Sequence, residues 1–158
     1  MKKVKSLVVL AAFASSGALA EDKLLVQSPA VLDAHAGVGD AIKHECALEA
    51  TTTNWVMDAL GGKAQRLENV SGAQGKVLKL TIVNVAGASG GAWSGPKSMT
   101  VRADLVESGK VIATTTKSRS SGGGAFAGYK STCAIFGRVM KTLGSDIASW
   151  ARSEMKGH

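Results

Sequence analysis

The sequence predicts an α+β domain: an antiparallel sheet of about 4–5 strands with two helices packed on one face, linked by a disulfide. Three observations lead there. Residues 76–117 hold three successive stretches in which apolar and polar side chains alternate with period two. Residues 129–153 carry an apolar stripe at spacings of three and four. Two cysteines, Cys46 and Cys133, fall one in each helical segment.

The chain divides into residues 1–20, read as an export signal, and 21–158, read as a single domain. Lys2, Lys3 and Lys5 form a basic start, Leu7 to Ala14 an apolar run too short to span a bilayer, and Ala18-Leu19-Ala20 a small-x-small cleavage site before Glu21. Cleavage near Ala20-Glu21 predicts a periplasmic or secreted product. No cysteine follows the apolar run, which disfavours a lipid-anchored form, and no later stretch reads as a transmembrane segment. Three of the 19 basic residues lie in the signal, so 16 remain against 12 acidic ones, a net charge of +4. That balance suits another envelope protein or an anionic envelope component as partner. No cluster of Lys and Arg or aromatic-basic motif points to nucleic acid.

An even pair of cysteines in an oxidising compartment reads first as a disulfide. Joining Cys46 to Cys133 closes a loop of 87 residues (133 minus 46), and chain entropy makes such a link worth roughly 4 kcal/mol. The competing reading, a metal site of Cys46, Cys133 and His44, has no local Cys-x-x-Cys spacing and too few ligands. No metal and no cofactor is expected.

In order, Lys23 to Ser28 reads as a short strand stopped by Pro29, and residues 30–40 as a loop ending in Asp40, a candidate N-cap. Over 41–60, Ile42, Cys46, Ala50, Thr53, Met57 and Leu60 share one helical face. Thr51, Thr52 and Thr53 interrupt it, since β-branched residues lose rotamer freedom in a helix. The segment therefore reads as an irregular lead-in with a helix from about Thr52, ended by Gly61-Gly62. Residues 64–70 fit a short strand and 71–75 a turn. In 76–85, Leu78, Leu80 and Ile82 point one way, with Lys79, Thr81, Val77, Val83 and Val85 assigned to the other face. Strands 97–106 and 111–117 form a hairpin around Glu107-Ser108-Gly109-Lys110. Thr114, Thr115 and Thr116 place the last strand nearer water. The closing helix, about 129–153, carries Tyr129, Cys133, Phe136, Met140, Leu143, Ile147 and Trp150 on its stripe. Gly137 and Gly144 interrupt it, a cost that close packing on a sheet would justify.

Two loops repeat each other. Gly90-Gly91-Ala92-Trp93-Ser94-Gly95-Pro96-Lys97-Ser98 is answered 33 residues later (123 minus 90) by Gly123-Gly124-Ala125-Phe126-Ala127-Gly128-Tyr129-Lys130-Ser131. Two antiparallel reversals bring both to one edge of the sheet. That edge is the candidate binding surface: Trp93, Lys97, Arg119, Phe126, Tyr129 and Lys130. Freed backbone N–H groups and a helix start there favour anions. Each loop falls one residue short of a phosphate-binding P-loop, with Tyr129 and Pro96 intruding before the lysines, and no acidic magnesium partner is evident, which argues against nucleotide hydrolysis. The simpler alternative is structural: the Trp93 and Phe126 rings pack over the sheet end and the lysines are solvated.

Nothing points to catalysis. The histidines are His35, His44 and the terminal His158, and neither His-Glu-x-x-His nor Gly-x-Ser-x-Gly occurs. A non-enzymatic interaction module of the cell envelope is the expected function. The alternative is a binder, or hydrolase, of a small anionic envelope ligand at the glycine-loop edge.

The signal, Glu45-Cys46-x-Leu48, Gly90-Gly91-x-x-Ser94-Gly95-x-Lys97-Ser98, and Ser121-Gly122-Gly123 leading to a Cys133 helix that ends in Asp146-Ile147-x-x-Trp150 resemble an uncharacterised family of small exported proteobacterial proteins. The resemblance covers most of the mature chain and implies a disulfide-linked periplasmic α+β domain with no known activity. The element order is also similar to small domains of envelope lipoproteins that bind other envelope proteins, though the lipidation cysteine is absent.

Overall fold

The computed structural model describes residues 23–122 and 127–157. Residues 1–20, read above as an export signal, and Phe126 and His158 lie outside them. The elements are β1 (Leu24–Gln27), β2 (Val31–Leu32), α1 (Asp40–Cys46), α2 (Leu48–Leu60), β3 (Ala64–Leu67), β4 (Lys76–Ala86), β5 (Lys97–Glu107), β6 (Lys110–Ser121) and α3 (Thr132–Gly157).

The long strands are the ones with the clearest alternation. β4 pairs antiparallel with β5, and β5 with β6, over eleven to twelve residues each. They form the antiparallel body of a six-stranded sheet of order β3-β1-β4-β5-β6, with β2 also on β4. The sheet is mixed, because β1–β3, β1–β4 and β2–β4 are parallel pairs. A βα unit explains this: β1 leads into α1 and α2, which cross the sheet face and return the chain to β3 in the same direction.

The helical face of the sheet is apolar. Leu24 and Val26 of β1, Leu78, Leu80 and Ile82 of β4, and Met99, Val101, Ala103 and Leu105 of β5 are all buried there. They pack with Leu48, Val56 and Leu60 of α2 and with Phe136, Val139, Met140, Leu143 and Ile147 of α3 in one cluster. The other face carries polar groups; Arg102 and Asp104 pair there at 3.2 Å, and Thr114 donates to Asp104 at 2.7 Å. One dry and one wet face is the usual state of an antiparallel sheet. Val85 departs from its expected face. A register shift between Ile82 and Asn84 leaves Val83 as an extra residue, so Val85 pairs with core-facing Met99 and is itself buried.

The first helical segment is regular on both sides of one break. Ala47 takes a left-handed conformation (φ 43°, ψ 49°) and separates α1 from α2. The helix face thus resumes at Leu48, not at Thr52, and the described residues hold three α-helices where two were expected. The threonines do not break α2. Thr52 and Thr53 are buried, and the Thr53 hydroxyl lies 3.3 Å from Glu49 O and 3.4 Å from Gln27 O, binding the helix to β1. Gly61 ends α2 as expected, with φ 65° and its N–H donating to Met57 O.

Cys46 and Cys133 form a disulfide, with Cα atoms 5.0 Å apart, joining the last residue of α1 to the first turn of α3. Gly144 has a clear reason, but against a helix instead of the sheet: a Cβ there would lie 2.7–2.8 Å from the backbone carbonyl group and Cβ of Trp55 in α2. The Lys141 ammonium sits 5.4 Å from the centre of the same Trp55 ring. Gly137 has no neighbour within 4 Å of such a Cβ, and nothing in the packing explains it.

A glycine-loop corner as the candidate functional site

The turn of β5 into β6 lies at one end of the sheet, so the loop entering β5 and the loop leaving β6 lie together at the other. The two loops touch. Each holds a short 3-10 turn, Gly91–Ser94 and Ala127–Tyr129. The Trp93 indole N–H donates to the Gly128 carbonyl at 3.1 Å, and the Gly91 N–H donates to Thr132 Oγ1 at 2.9 Å. Glycine is required at the crossing. Gly91 has φ 62°, and a Cβ there would run into the Lys130 carbonyl oxygen. A Cβ on Gly128 would lie 3.4 Å from the Trp93 ring.

Five of the six residues picked from sequence are described, and they separate into two groups. Trp93 and Tyr129 stand out from the surface, 87% and 93% exposed. The expected packing of Trp93 over the sheet end is not found; its ring is held at one edge by Gly128 and is otherwise open. Tyr129 does not belong to the α3 stripe. It ends a 3-10 turn, and α3 begins only at Thr132, behind Ser131, whose hydroxyl accepts the Ala134 N–H at 3.2 Å. That cap occupies one of the helix-start donors that an anion would need.

The cations differ: Lys97 is buried, Lys130 half-buried and Arg119 exposed. Lys97 is fully buried, contrary to a solvated lysine. It continues the inward alternation of Met99, Val101, Ala103 and Leu105, so its stem lies in the core. Its ammonium turns back into the first loop, 2.9 Å from Ser94 Oγ and 2.7 Å from Gly95 O. Ser94 Oγ is in turn 2.9 Å from Gly91 O and 3.0 Å from Ala88 O. Lys97 is therefore the internal tie that gathers the first loop. Arg119 pairs along the sheet with Met99 and reaches Asp146 of α3 at 2.8 Å. Among the described residues no hydrogen-bond donor is aligned on that carboxylate oxygen, so the contact with Arg119 is Coulombic. Lys130 is half-buried and has an interaction partner of its own. Phe126 lies outside the described residues. The corner thus presents two aromatic rings on a backbone frame gathered by Lys97, with Arg119 ion-paired to α3.

Among the described residues no group of three or more His, Cys, Asp or Glu is placed to hold a metal, and no helix is long and apolar enough to cross a membrane.

No family model and no curated protein matches the chain. Among solved structures it is similar to the PelC dodecamer from Paraburkholderia phytofirmans (17% identity, 80% of this chain and 86% of that one, TM-score 0.49). It is also similar to a DUF330 protein from Xanthomonas campestris (14%, 82% and 83%, 0.48). A third is a minor lipoprotein from Acinetobacter baumannii (15%, 81% and 89%, 0.41). At these identities and scores no role of those proteins carries over.

Proposed function

We propose that this chain is a non-enzymatic docking module of the bacterial cell envelope, and that it engages a partner protein through the corner formed by Trp93 and Tyr129. The observation that carries the reading is the exposure of both rings on a corner whose backbone is fixed. The Trp93 ring, 87% exposed and anchored through its indole N–H to Gly128, presents an apolar face already oriented for contact. Tyr and Trp offer broad contact area with few torsions to immobilise, the property that makes them interface anchors. The frame beneath them is tied by the Trp93–Gly128 and Gly91–Thr132 bonds and by Lys97, so little order is lost on docking.

An extracytoplasmic location is part of the proposal. The leader-like first twenty residues and the Cys46–Cys133 disulfide both favour it, because such bonds persist in oxidising compartments. Sequencing the mature protein should find Glu21 at its start.

The test is recovery of partners from envelope extracts with a Trp93→Ala/Tyr129→Ala double variant. Recovery should fall at least tenfold while the melting temperature moves by no more than a few degrees. Unchanged recovery would remove the corner from the interface.

A further inference from the structure

At the opposite end of the sheet from the glycine-loop corner lies a cavity of about 480 Å³, within the range of small-ligand sites. Its walls come from segments far apart in sequence: the start of β1, the end of α2, the start of β4, the end of β5 and the last turns of α3. Leu24 and Leu60, both buried, and Met155 of α3 supply apolar lining. Around them stand Lys23, Lys63, Lys76, Arg152 and Lys156, against one lining carboxylate among the described residues, Glu107. A net positive rim over an apolar floor is complementary to one kind of molecule: an anionic head on an alkyl tail.

Arg152 is the built part of the site. It is half-buried, and its guanidinium is fixed by donating to Ala59 O at 2.8 Å and to Ser149 Oγ at 3.3 Å. Two of its five N–H groups are so used, and three remain as donors for a carboxylate or phosphate. Lys23 and Lys156 flank the mouth at the surface. Lys63 has a partner of its own, so the charge argument does not depend on it.

We infer that this cavity binds a single-chain anionic amphiphile, its carboxylate or phosphate at Arg152 and its alkyl chain over Leu24, Leu60 and Met155. This site is separate from the Trp93–Tyr129 corner and does not depend on its role.

The test is calorimetric titration of the protein, purified from the envelope of its expression host, with laurate and dodecyl phosphate below their aggregation thresholds. Both should bind one to one, with affinity rising with chain length from hexanoate to laurate by up to about fourfold per methylene. Dodecanol and inorganic phosphate should each bind at least tenfold more weakly than laurate. A Lys23→Glu/Lys156→Glu variant and, separately, Met155→Glu should each weaken laurate at least tenfold with the fold intact by circular dichroism. These positions are used because Arg152 also braces α2. No laurate binding, equal binding of dodecanol, or full binding by both variants would overturn the inference. Retention on phosphatidylglycerol vesicles without binding of free laurate would reassign the charge to surface adsorption. Binding that appears only when the residues before Lys23 are removed would assign the cavity to the chain's own N-terminal segment. Either outcome also overturns it.

Discussion

The Trp93 indole and the Gly128 carbonyl meet at 3.1 Å across 35 residues of chain, and with that bond the two repeated glycine loops become one corner. The indole nitrogen is spent on the frame while the ring faces solvent. Trp93→Phe should therefore keep the ring surface and lose the bond. Since a net hydrogen bond contributes about 1 kcal/mol, its melting temperature should drop by only a few degrees, with partner recovery largely retained; thermal denaturation beside the recovery assay reads both.

Lys97 behaves as a core residue with a polar tip. Lys97→Ala removes a buried stem and should cost about 2–4 kcal/mol, as large-to-small core changes do. Lys97→Met keeps most of the volume and should cost about 1.5–3 kcal/mol, the worth of a charged-group hydrogen bond, without the further loss of the buried stem. Urea denaturation distinguishes the two. Equal and negligible losses would return Lys97 to the solvated surface.

Gly144 sets how closely α2 and α3 approach. Gly144→Ala adds a methyl group against the Trp55 backbone, which cannot yield as a side-chain tip can. The gain in helix propensity, about 1 kcal/mol, should be outweighed by overpacking, for a net loss of roughly 1–3 kcal/mol. Gly137→Ala, with open space around it, should instead stabilise by up to about 1 kcal/mol. The opposite signs of two Gly→Ala changes in one helix make a sharp comparison by chemical denaturation.

Thr52 is fully buried and its hydroxyl has no hydrogen-bond partner among the described residues. A buried orphan of this kind costs about 1–3 kcal/mol. Thr52→Val keeps the shape and should raise stability by up to that amount, as a higher denaturation midpoint at unchanged slope.

The disulfide closes an 87-residue loop and ties α1 to α3. Cys46→Ser/Cys133→Ser should lose about 2–5 kcal/mol. Mass spectrometry of the untreated protein should find no alkylatable thiol.

How much of this was legible depends on the length of the pattern. β4, β5 and β6 repeat their alternation over eleven or twelve residues, enough to define strands, hairpin and buried face. From that order alone the meeting of the two glycine loops followed. The parallel edge was not legible, because β1 and β3 have four residues each and β2 two, too few for a period to declare a direction. Ala47 hides the α1–α2 break, since left-handed backbone is signalled by glycine and not by alanine. At the candidate site, strand order brings the loops carrying Trp93 and Tyr129 to one end of the sheet, whereas the reading of the lysines as solvated fails at Lys97, which is buried. A lysine at an inward position of a strand carries its own warning in the alternation with Met99 and Val101, and that parity is the signal that would have identified it. The cavity around Arg152 was beyond reach, since five separate segments build it.

The central claim is that the Trp93–Tyr129 corner docks a partner. Its most direct test is a photo-crosslinking phenylalanine analogue at Tyr129, irradiated in the intact envelope, with the same probe at Val111 as control. Val111 is 59% exposed but lies beside the β5–β6 turn, at the far end of the sheet. The account predicts a discrete adduct at Tyr129 that disappears with Trp93→Ala, and none at Val111. No adduct at Tyr129, or the same adduct from both positions, would contradict it.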